Sequence, residues 1–478
     1  MRDVRNYVDG KWRHIDSAHT LDVWDPSTGN VIARVPISDE YQVGEAVGAA
    51  AGSASEWRRT PASERVQYLF RLKRLLEDQI EDLARCITIE HGKVLGESRG
   101  EVRRAIDNVD MACGTPVHLQ GVFAEDISAG IDEAMIRQPI GICVGIVPFN
   151  FPLMIPCWFL PYAIACGNPF ILKASERTPM TAELLFELLD SLGLPPGVVS
   201  LVHGDASTAE SLIDHPDVRA VSFVGSTPAA RAVYARAASG GKRAQAQGGA
   251  KNSLVILADA KLEAAASFAA ESAFGNAGQR CLAGGSAVVV DAVADDFVEA
   301  VAHHARTRVI GSGLTPGVDL GPMISASSRQ RVEALVEAGV SEGAQLVVDG
   351  RQPTEEGFFL GATVLDSVKP AGIVGTTELF GPVIGISRVA DLGGAIEVVN
   401  ASSYGNMACL FTSDGRSARQ FRYEAQVGNV GINIGVAQPM ASFPFSGWGD
   451  SFFGDLHAHG PHAVEFFTQT KVVVERWP

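Results

Sequence analysis

Short apolar runs at 141–148, 169–173, 198–202 and 220–224 alternate in this sequence with helical runs near 153–166, 178–192, 205–215 and 227–239. Near-continuous apolar runs of strand length belong to strands buried on both faces, and a helix between each pair supplies the crossover that parallel strands require. The stretch is therefore expected to fold as a doubly wound parallel sheet. Such sheets bind ligands in the crevice beyond the carboxyl ends of their strands, so chemistry is expected on the loops that leave those ends.

Three of those loops hold unusual residues. In Val147-Pro148-Phe149-Asn150-Phe151-Pro152 an asparagine stands alone among apolar neighbours. Its amide either bonds its own turn or, once buried, needs partners from elsewhere. Lys173-Ala174-Ser175-Glu176-Arg177-Thr178-Pro179 sets a lysine and a glutamate at a strand end, where a nucleotide ribose could use both. Gly225-Ser226-Thr227-Pro228 opens a helix, and its amides either serve as an ordinary cap or receive a pyrophosphate. No GxGxxG fingerprint is present.

Further on, Phe274-Gly275-Asn276-Ala277-Gly278-Gln279-Arg280-Cys281-Leu282-Ala283 delivers one cysteine between an alanine-rich helical run and the apolar run 287–290. Gly275 and Gly278 let the backbone approach a ligand, and Arg280 is expected to favour the reactive thiolate of Cys281. The same pattern also suits an inert thiol buried beside a tight turn.

A 478-residue chain exceeds the size at which one core stops growing, so two or more domains are expected. With 46% hydrophobic and 20% charged residues it reads as a globular enzyme. A net charge of −16 with no lysine- or arginine-rich run excludes nucleic acid and anionic membrane as natural partners, and an anionic substrate would need local arginines. Cysteines at 86, 113, 143, 157, 166, 281 and 409 form no CxxC pair, and no paired-histidine spacing accompanies them. Neither a disulfide framework nor a metal site is expected. Met1-Arg2-Asp3-Val4-Arg5 opens no apolar signal region, and the apolar stretch 140–166 is broken by four prolines and Asn150. These features predict a cytoplasmic chain without a membrane span.

Residues 1–36 read as a surface β-arm, with turns at Asp9-Gly10 and Asp25-Pro26-Ser27-Thr28-Gly29. Thr60 as N-cap and Pro61 behind it would open one long amphipathic helix from Val66 through Ile80 to Ile87, stopped by His91-Gly92. A second helix over 94–113 carries Arg103 and Arg104, which by themselves read as a solvated face. After Gly249, strands near 254–257, 287–290, 346–348 and 410–412 alternate with helices at 260–274, 294–308, 325–339 and 393–400, a second α/β unit carrying the cysteine. Residues 117–140 look like an excursion from the body with a strand at Ala134-Met135-Ile136-Arg137. The tail, with Val464, Phe466, Phe467 and 472–474, reads as a strand that would pair with that excursion and leave an edge for a partner subunit.

Together, Pro148-Phe149-Asn150-Phe151-Pro152, Lys173-Ala174-Ser175-Glu176, Phe223-Val224-Gly225-Ser226-Thr227, Gly275-Asn276-Ala277-Gly278-Gln279-Arg280-Cys281 and Glu378-Leu379-Phe380-Gly381-Pro382-Val383 resemble the aldehyde dehydrogenase superfamily in order and spacing. The resemblance runs from about Val8 to the end, although Ala230 stands where that family usually has glycine. It implies an α/β fold of two doubly wound parallel-sheet domains plus a small β oligomerisation arm. The NAD-binding domain would take 1–118 and 139–247, the catalytic domain 248–445, and the arm 119–138 and 462–478, in a homodimer or homotetramer. It further implies that Cys281 attacks an aldehyde while the Asn150 amide and the Cys281 N–H hold the oxyanion. NAD contacts would fall on Phe149, Lys173, Glu176, Arg177, Gly225, Ser226, Glu378 and Phe380. An acidic Glu176 near the ribose favours NAD over NADP, whose 2′-phosphate would meet like charge.

Hydrolytic members of that family activate water with a glutamate in a Glu-Leu-Gly-Gly-Lys stretch. Setting Lys251 on that lysine puts Gln247 at the glutamate's position, and an amide is no base at neutral pH. A thiol such as that of coenzyme A, with an ordinary pKa of about 8.5, needs less help, so Gln247 points to acyl transfer. Gly249-Ala250-Lys251-Asn252, Phe149, Ile155-Pro156-Cys157-Trp158 and Gly454-Asp455-Leu456-His457 resemble the CoA-acylating methylmalonate-semialdehyde dehydrogenases. Ser253 replaces a frequent histidine there, a change expected to affect the orientation of Cys281, and Leu282-Ala283-Gly284-Gly285 departs from the usual sequence. This resemblance implies that Arg104 and Arg280 grip the carboxylate of a small semialdehyde. A hydrolytic enzyme using Glu263 or Glu271 as base, or a catalytically silent NAD-binding member, are the competing readings.

Overall fold

Runs of valine, isoleucine, leucine and phenylalanine form the centre of an eight-stranded sheet in the computed structural model, which describes residues 2–15, 19–351, 353 and 356–477. Met1 and Pro478, the outer ends of the expected first and last segments, lie outside the described residues. The sheet order is Phe452–Gly454, Arg243–Gln247, Val218–Val224, Ile142–Ile146, Phe170–Lys173, Val199–Val202, Asn6–Val8, Lys11–Arg13. The strands from Arg243–Gln247 to Val199–Val202 are mutually parallel, and antiparallel pairings close both edges. Helices Pro156–Cys166, Pro179–Ser191, Ala206–Asp214 and Thr227–Ser239 make the crossovers. Pro156, Pro179 and Pro228 occupy first turns, where the absent N–H leaves no helical bond unmade. From Ile142–Ile146 the chain winds outward to Val199–Val202, then returns to the other side with Val218–Val224. The order thus reverses between Ile142–Ile146 and Val218–Val224, where the Asn150 and Ser226 loops emerge together.

The second sheet has the order Gln345–Val348, Thr363–Asp366, Val383–Val389, Ser286–Val290, Ser253–Ile256, Met407–Phe411, Asn429–Ile432. It is parallel apart from the antiparallel edge strand Gln345–Val348. Cys281 follows helix Leu262–Phe274 and a tight turn at Gly275–Gly278, ahead of strand Ser286–Val290. In that turn Asn276 (φ 55) and Ala277 (φ 50) adopt left-handed backbone that side chains disfavour. Gly278 (φ +68) lies against the Gly381 carbonyl, so any side chain there would collide with the backbone that follows Phe380.

The excursion and the tail form the expected third unit, a sheet ordered Thr468–Glu475, Ile131–Pro139, Val122–Ser128, with an antiparallel register from Thr468↔Pro139 to Glu475↔Asp132. Val464 and Phe466 are not part of that strand, because they are buried in helix Gly460–Phe466, which anchors the arm to the body.

Other expectations need correction. The long helix divides into Ala62–Asp78 and Ile80–His91 at Gln79 (φ −114, ψ 20). Thr60 is not its N-cap but the C-cap of a preceding helix, Glu40–Arg59, whose presence was not anticipated. That helix buries small residues such as Ala46 and Ala50, so its apolar face is faint, yet Asp39 and Gln42 form a complete capping box at its start. The N-terminal hairpin is not a surface arm, since Tyr7 and Val8 are buried and Tyr7 pairs with Leu201 at the sheet edge.

Candidate active site

Cys281 borders two cavities. The first, of about 260 Å³, lies at the crevice between the sheets and is lined by Phe149, Asn150, Gly225, Ser226, Glu378 and Phe380 among others. Phe149 stands edge-on to Phe380 (centroids 6.0 Å, 87°) and stacks on the buried His91 (5.9 Å, 22°). Phe380 itself is held at φ +52, a strained conformation set by its passage over Gly278. Glu378 Oε1 accepts the Ala250 N–H at 2.9 Å, and burial lifts its carboxyl to about 7 despite that bond. A side chain at Gly249 would run into the same carboxylate, so the cavity wall is built for close backbone approach. Arg331 holds the Glu378 and Leu379 carbonyls at 2.6 and 2.8 Å.

The remaining residues of the expected cofactor set stand at the neighbouring strand end. Lys173 Nζ donates to Glu176 Oε2 at 3.0 Å. Burial alone would raise the Glu176 carboxyl, but Lys173, backbone N–H and Arg177 together hold it below the usual carboxylate range. Arg177 lies over the Phe149 ring (5.5 Å) and donates to Ser325 Oγ at 3.2 Å. These residues do not line the cavity that holds Cys281. The helix start at Ser226 is an anion site of the kind that receives a pyrophosphate, and with the ribose-type donors at the next strand end the set fits a dinucleotide. Ser226 caps helix Thr227–Ser239 without a side-chain bond to it, which leaves its hydroxyl free of that duty.

The second cavity, of about 270 Å³, is lined by Lys93, Glu97, Glu101, Arg104, Phe151, Arg280 and further residues. Arg104 and Arg280 thus face one space, though neither is unengaged. Arg280 donates to Glu97 at 2.7 Å and lies 3.8 Å from Glu271, while Arg104 contacts Met440 Sδ at 2.8 Å and Asp107 at 3.6 Å. Arg103 is exposed, as a solvated helix face predicts. Asn150 Nδ2 donates to the Gln279 carbonyl at 2.9 Å, so the lone asparagine of the loop bonds across to the cysteine turn rather than to its own. Its second amide hydrogen remains for a ligand.

Arg280 favours the thiolate of Cys281, as expected, but its effect is outweighed. Burial first, and the Glu378 carboxylate second, push Cys281 up to about 12, while the backbone N–H groups of Cys281 and Leu282 and then Arg280 oppose this only in part. The guanidinium is paired with Glu97 at 2.7 Å, and its pull on the thiol is the weakest of these opposing effects. All seven cysteines are free, and Cys281 alone is not fully buried. Gln247 ends strand Arg243–Gln247 at 5% exposure, and its Nε2 has no partner among the described residues. Glu263 (83% exposed) and Glu271 (bonded to Arg308 at 3.0 Å) line neither cavity.

Two residues not singled out in the sequence, Glu97 and Glu101, share a helix face with Arg104. Glu97, Glu101 and Arg104 follow i, i+4, i+7 spacing on helix Leu95–Cys113, a signal that was legible. Glu97 Oε1 accepts the Asn276 N–H at 2.6 Å and so fixes the cysteine turn. Lys93 Nζ bonds Glu101 at 2.8 Å and the Asn150 carbonyl at 2.6 Å, and Glu101 accepts the Leu153 and Met154 N–H groups at 2.9 and 3.1 Å. Asn252 and Asn406 both reach the Cys281 carbonyl. Ser253, noted for its departure, belongs to strand Ser253–Ile256, and the residue before it is the one that touches the nucleophile's segment. Among the described residues no cluster of three or more potential metal ligands occurs, and no helix is long and apolar enough to cross a membrane.

Residues 12–473 match the aldehyde dehydrogenase family. Malonate-semialdehyde dehydrogenase 2 of Geobacillus kaustophilus is 46% identical over 480 residues, covering 100% of this chain and 99% of the relative. The malonate-semialdehyde dehydrogenase of Halalkalibacterium halodurans is 45% identical over 476 residues, covering 99% and 98%. The crystal structure of methylmalonate-semialdehyde dehydrogenase from Oceanimonas doudoroffii superposes with a TM-score of 0.98 at 40% identity, covering 100% of this chain and 99% of that one.

Proposed function

The chain belongs to the aldehyde dehydrogenase family, and on that premise we propose that it oxidises malonate or methylmalonate semialdehyde with NAD and passes the acyl group to coenzyme A. The observation that carries the reading is the position of Cys281, shared by an arginine-lined cavity and by a glycine-walled one. In this reading Arg104 and Arg280 grip the substrate carboxylate in the first, which sets the aldehyde carbon at Sγ. The thiol proton leaves to solvent water, and attack by the resulting thiolate on the aldehyde carbon produces a tetrahedral adduct, whose oxyanion takes the free hydrogen of the Asn150 amide and the Cys281 N–H. NAD, when bound, supplies the hydride acceptor. Its holding groups would be Phe149, Gly225, Ser226, Glu378 and Phe380 near the reacting carbon, with Lys173, Glu176 and Arg177 at the far ribose. Hydride loss from the adduct leaves a thioester on Cys281. Gln247 cannot deprotonate water, which favours the thiol of coenzyme A as acyl acceptor. Neither Glu263 nor Glu271 reaches the cavities to replace it.

The same reading assigns 1–118 and 139–247 to cofactor binding, 248–445 to catalysis, and 119–138 with 462–478 to assembly. The arm exposes Phe123, Ile127, Val472 and Val474, an apolar surface that suits a second copy in a homodimer or homotetramer. A cytoplasmic location accords with seven unpaired thiols. Product analysis tests the proposal: malonate semialdehyde, methylmalonate semialdehyde and propanal are each supplied with NAD, with and without coenzyme A. Acyl-CoA formed in step with NADH, with the carboxylated aldehydes preferred, is expected. Free acid produced at an equal rate without coenzyme A would overturn it.

A further inference from the structure

Two buried asparagines that the scheme above leaves idle converge on the backbone of Cys281. Asn252 Nδ2 donates to the Cys281 carbonyl at 2.9 Å and to the Ala283 carbonyl at 3.0 Å, and Asn406 Nδ2 donates to the same Cys281 carbonyl at 2.8 Å. Both residues are held from behind, Asn252 by its side chain and Asn406 by its backbone. Asn252 Oδ1 accepts the Met407 N–H at 3.1 Å, and the Asn406 carbonyl accepts the N–H and the Nδ2 of Asn429, each at 3.0 Å. Asn252 immediately precedes strand Ser253–Ile256 and Asn406 immediately precedes Met407–Phe411, which are adjacent and parallel. The sheet therefore sets the separation of the two amides, and both residues are at most 5% exposed.

One donor would satisfy a buried carbonyl. Two rigid donors on one oxygen immobilise the peptide it belongs to. The Cys281 carbonyl and the Leu282 N–H are parts of a single planar unit, so fixing the oxygen fixes the direction of that N–H. Donors at the oxygen also polarise the peptide and strengthen the N–H as a donor. That N–H and the N–H of Cys281 are the backbone groups that support the sulfur.

We propose that Asn252 and Asn406 are positioning residues for Cys281, clamping its carbonyl so that the Cys281–Leu282 peptide presents its N–H to the sulfur. This rests on the reading of Cys281 as nucleophile. The charged groups facing the thiol are Glu378 and Arg331 on one side, and the pairs Lys93–Glu101 and Arg280–Glu97 with Arg104 on the other. None of them is bonded to Asn406, so a change at Asn406 leaves them in place.

The test is Asn406→Leu, which keeps the branching at the γ carbon and removes the donor, with Asn406→Ala as the smaller second variant. Iodoacetamide labelling of Cys281 is followed from pH 6 to 10 by peptide mass, alongside the NADH burst rate, NAD binding by protein fluorescence, and the unfolding midpoint. The clamp predicts labelling slowed about 3- to 10-fold at pH 8 and slower at every pH in that range, a slower burst, and unchanged NAD affinity. A soluble variant of either kind with the wild-type labelling profile and burst rate overturns the proposal, whatever happens to its unfolding midpoint. If wild-type Cys281 is labelled no faster than Cys86 or Cys409, the nucleophile reading fails instead.

Discussion

Lys93→Met would remove the charge from an ion pair in which both side chains are 0% exposed. Its ammonium bonds Glu101 at 2.8 Å and the Asn150 carbonyl at 2.6 Å, and lies 4.2 Å from the Phe151 ring centroid. Burial draws the Lys93 pKa down while Glu101 counters it. Methionine fills the volume but leaves the Glu101 carboxylate uncompensated, a loss of about 3–5 kcal/mol of folding stability for a broken buried pair. Glu101 Oε1 still accepts the Leu153 and Met154 N–H groups, so the helix start should survive. Lys93→Met/Glu101→Gln should recover most of the loss, because the glutamine oxygen keeps those two bonds and no orphan charge remains. Activity should not recover with it. The Asn150 carbonyl has lost its anchor, and a displacement on the order of 1 Å at the oxyanion amide costs about 100-fold in the burst rate. Urea unfolding and stopped-flow NADH formation read the two effects separately. A single variant within about 1 kcal/mol of wild type, outside the range for a broken buried pair, would refute the reasoning. So would a double variant no more stable than the single one.

Arg104→Ala should lower kcat/KM for malonate semialdehyde by about 10- to 100-fold, or about 1.5–3 kcal/mol, and leave propanal nearly unchanged. The range is modest because the guanidinium is 33% exposed, and equal losses on both aldehydes would contradict it. Glu176→Ser should narrow the preference for NAD over NADP by removing a carboxylate that stays ionised above its lowered pKa. The gain should persist from pH 6 to 8, and an unaltered cofactor ratio would show that Glu176 faces elsewhere. Gln247→Glu should confer NADH turnover without coenzyme A, increasing as pH rises through the new carboxyl's pKa and it becomes able to accept a proton. No turnover at any pH up to 9 would count against Gln247 as the site of the missing base.

Much of this architecture was visible because local signals agreed with burial. Strands such as Ile142–Ile146 and Phe170–Lys173 are buried at every position, so a plain apolar run sufficed to find them. Helix Glu40–Arg59 escaped notice because alanine and glycine carry little hydrophobic contrast, even though its cap was written out at Asp39 and Gln42. Strand Arg243–Gln247 was hidden by polar residues that the fold nevertheless buries, among them Gln245 bonded to Ser222 at 2.8 Å. In the site, Cys281 and Asn150 were legible from their own loops. The groups that hold them were not, since Glu97, Lys93, Asn252 and Asn406 act across 29 to 179 residues of sequence. Arg280 shows the limit of adjacency: it neighbours the cysteine in sequence, yet it is bonded to Glu97 and its pull on the thiol is outweighed by burial and Glu378.

The most direct test mixes enzyme, NAD and malonate semialdehyde without coenzyme A and follows NADH on the millisecond scale. A burst approaching one NADH per Cys281 and then near arrest is expected, with steady turnover restored when coenzyme A is added. Undiminished steady turnover to the free acid in the absence of coenzyme A would contradict it.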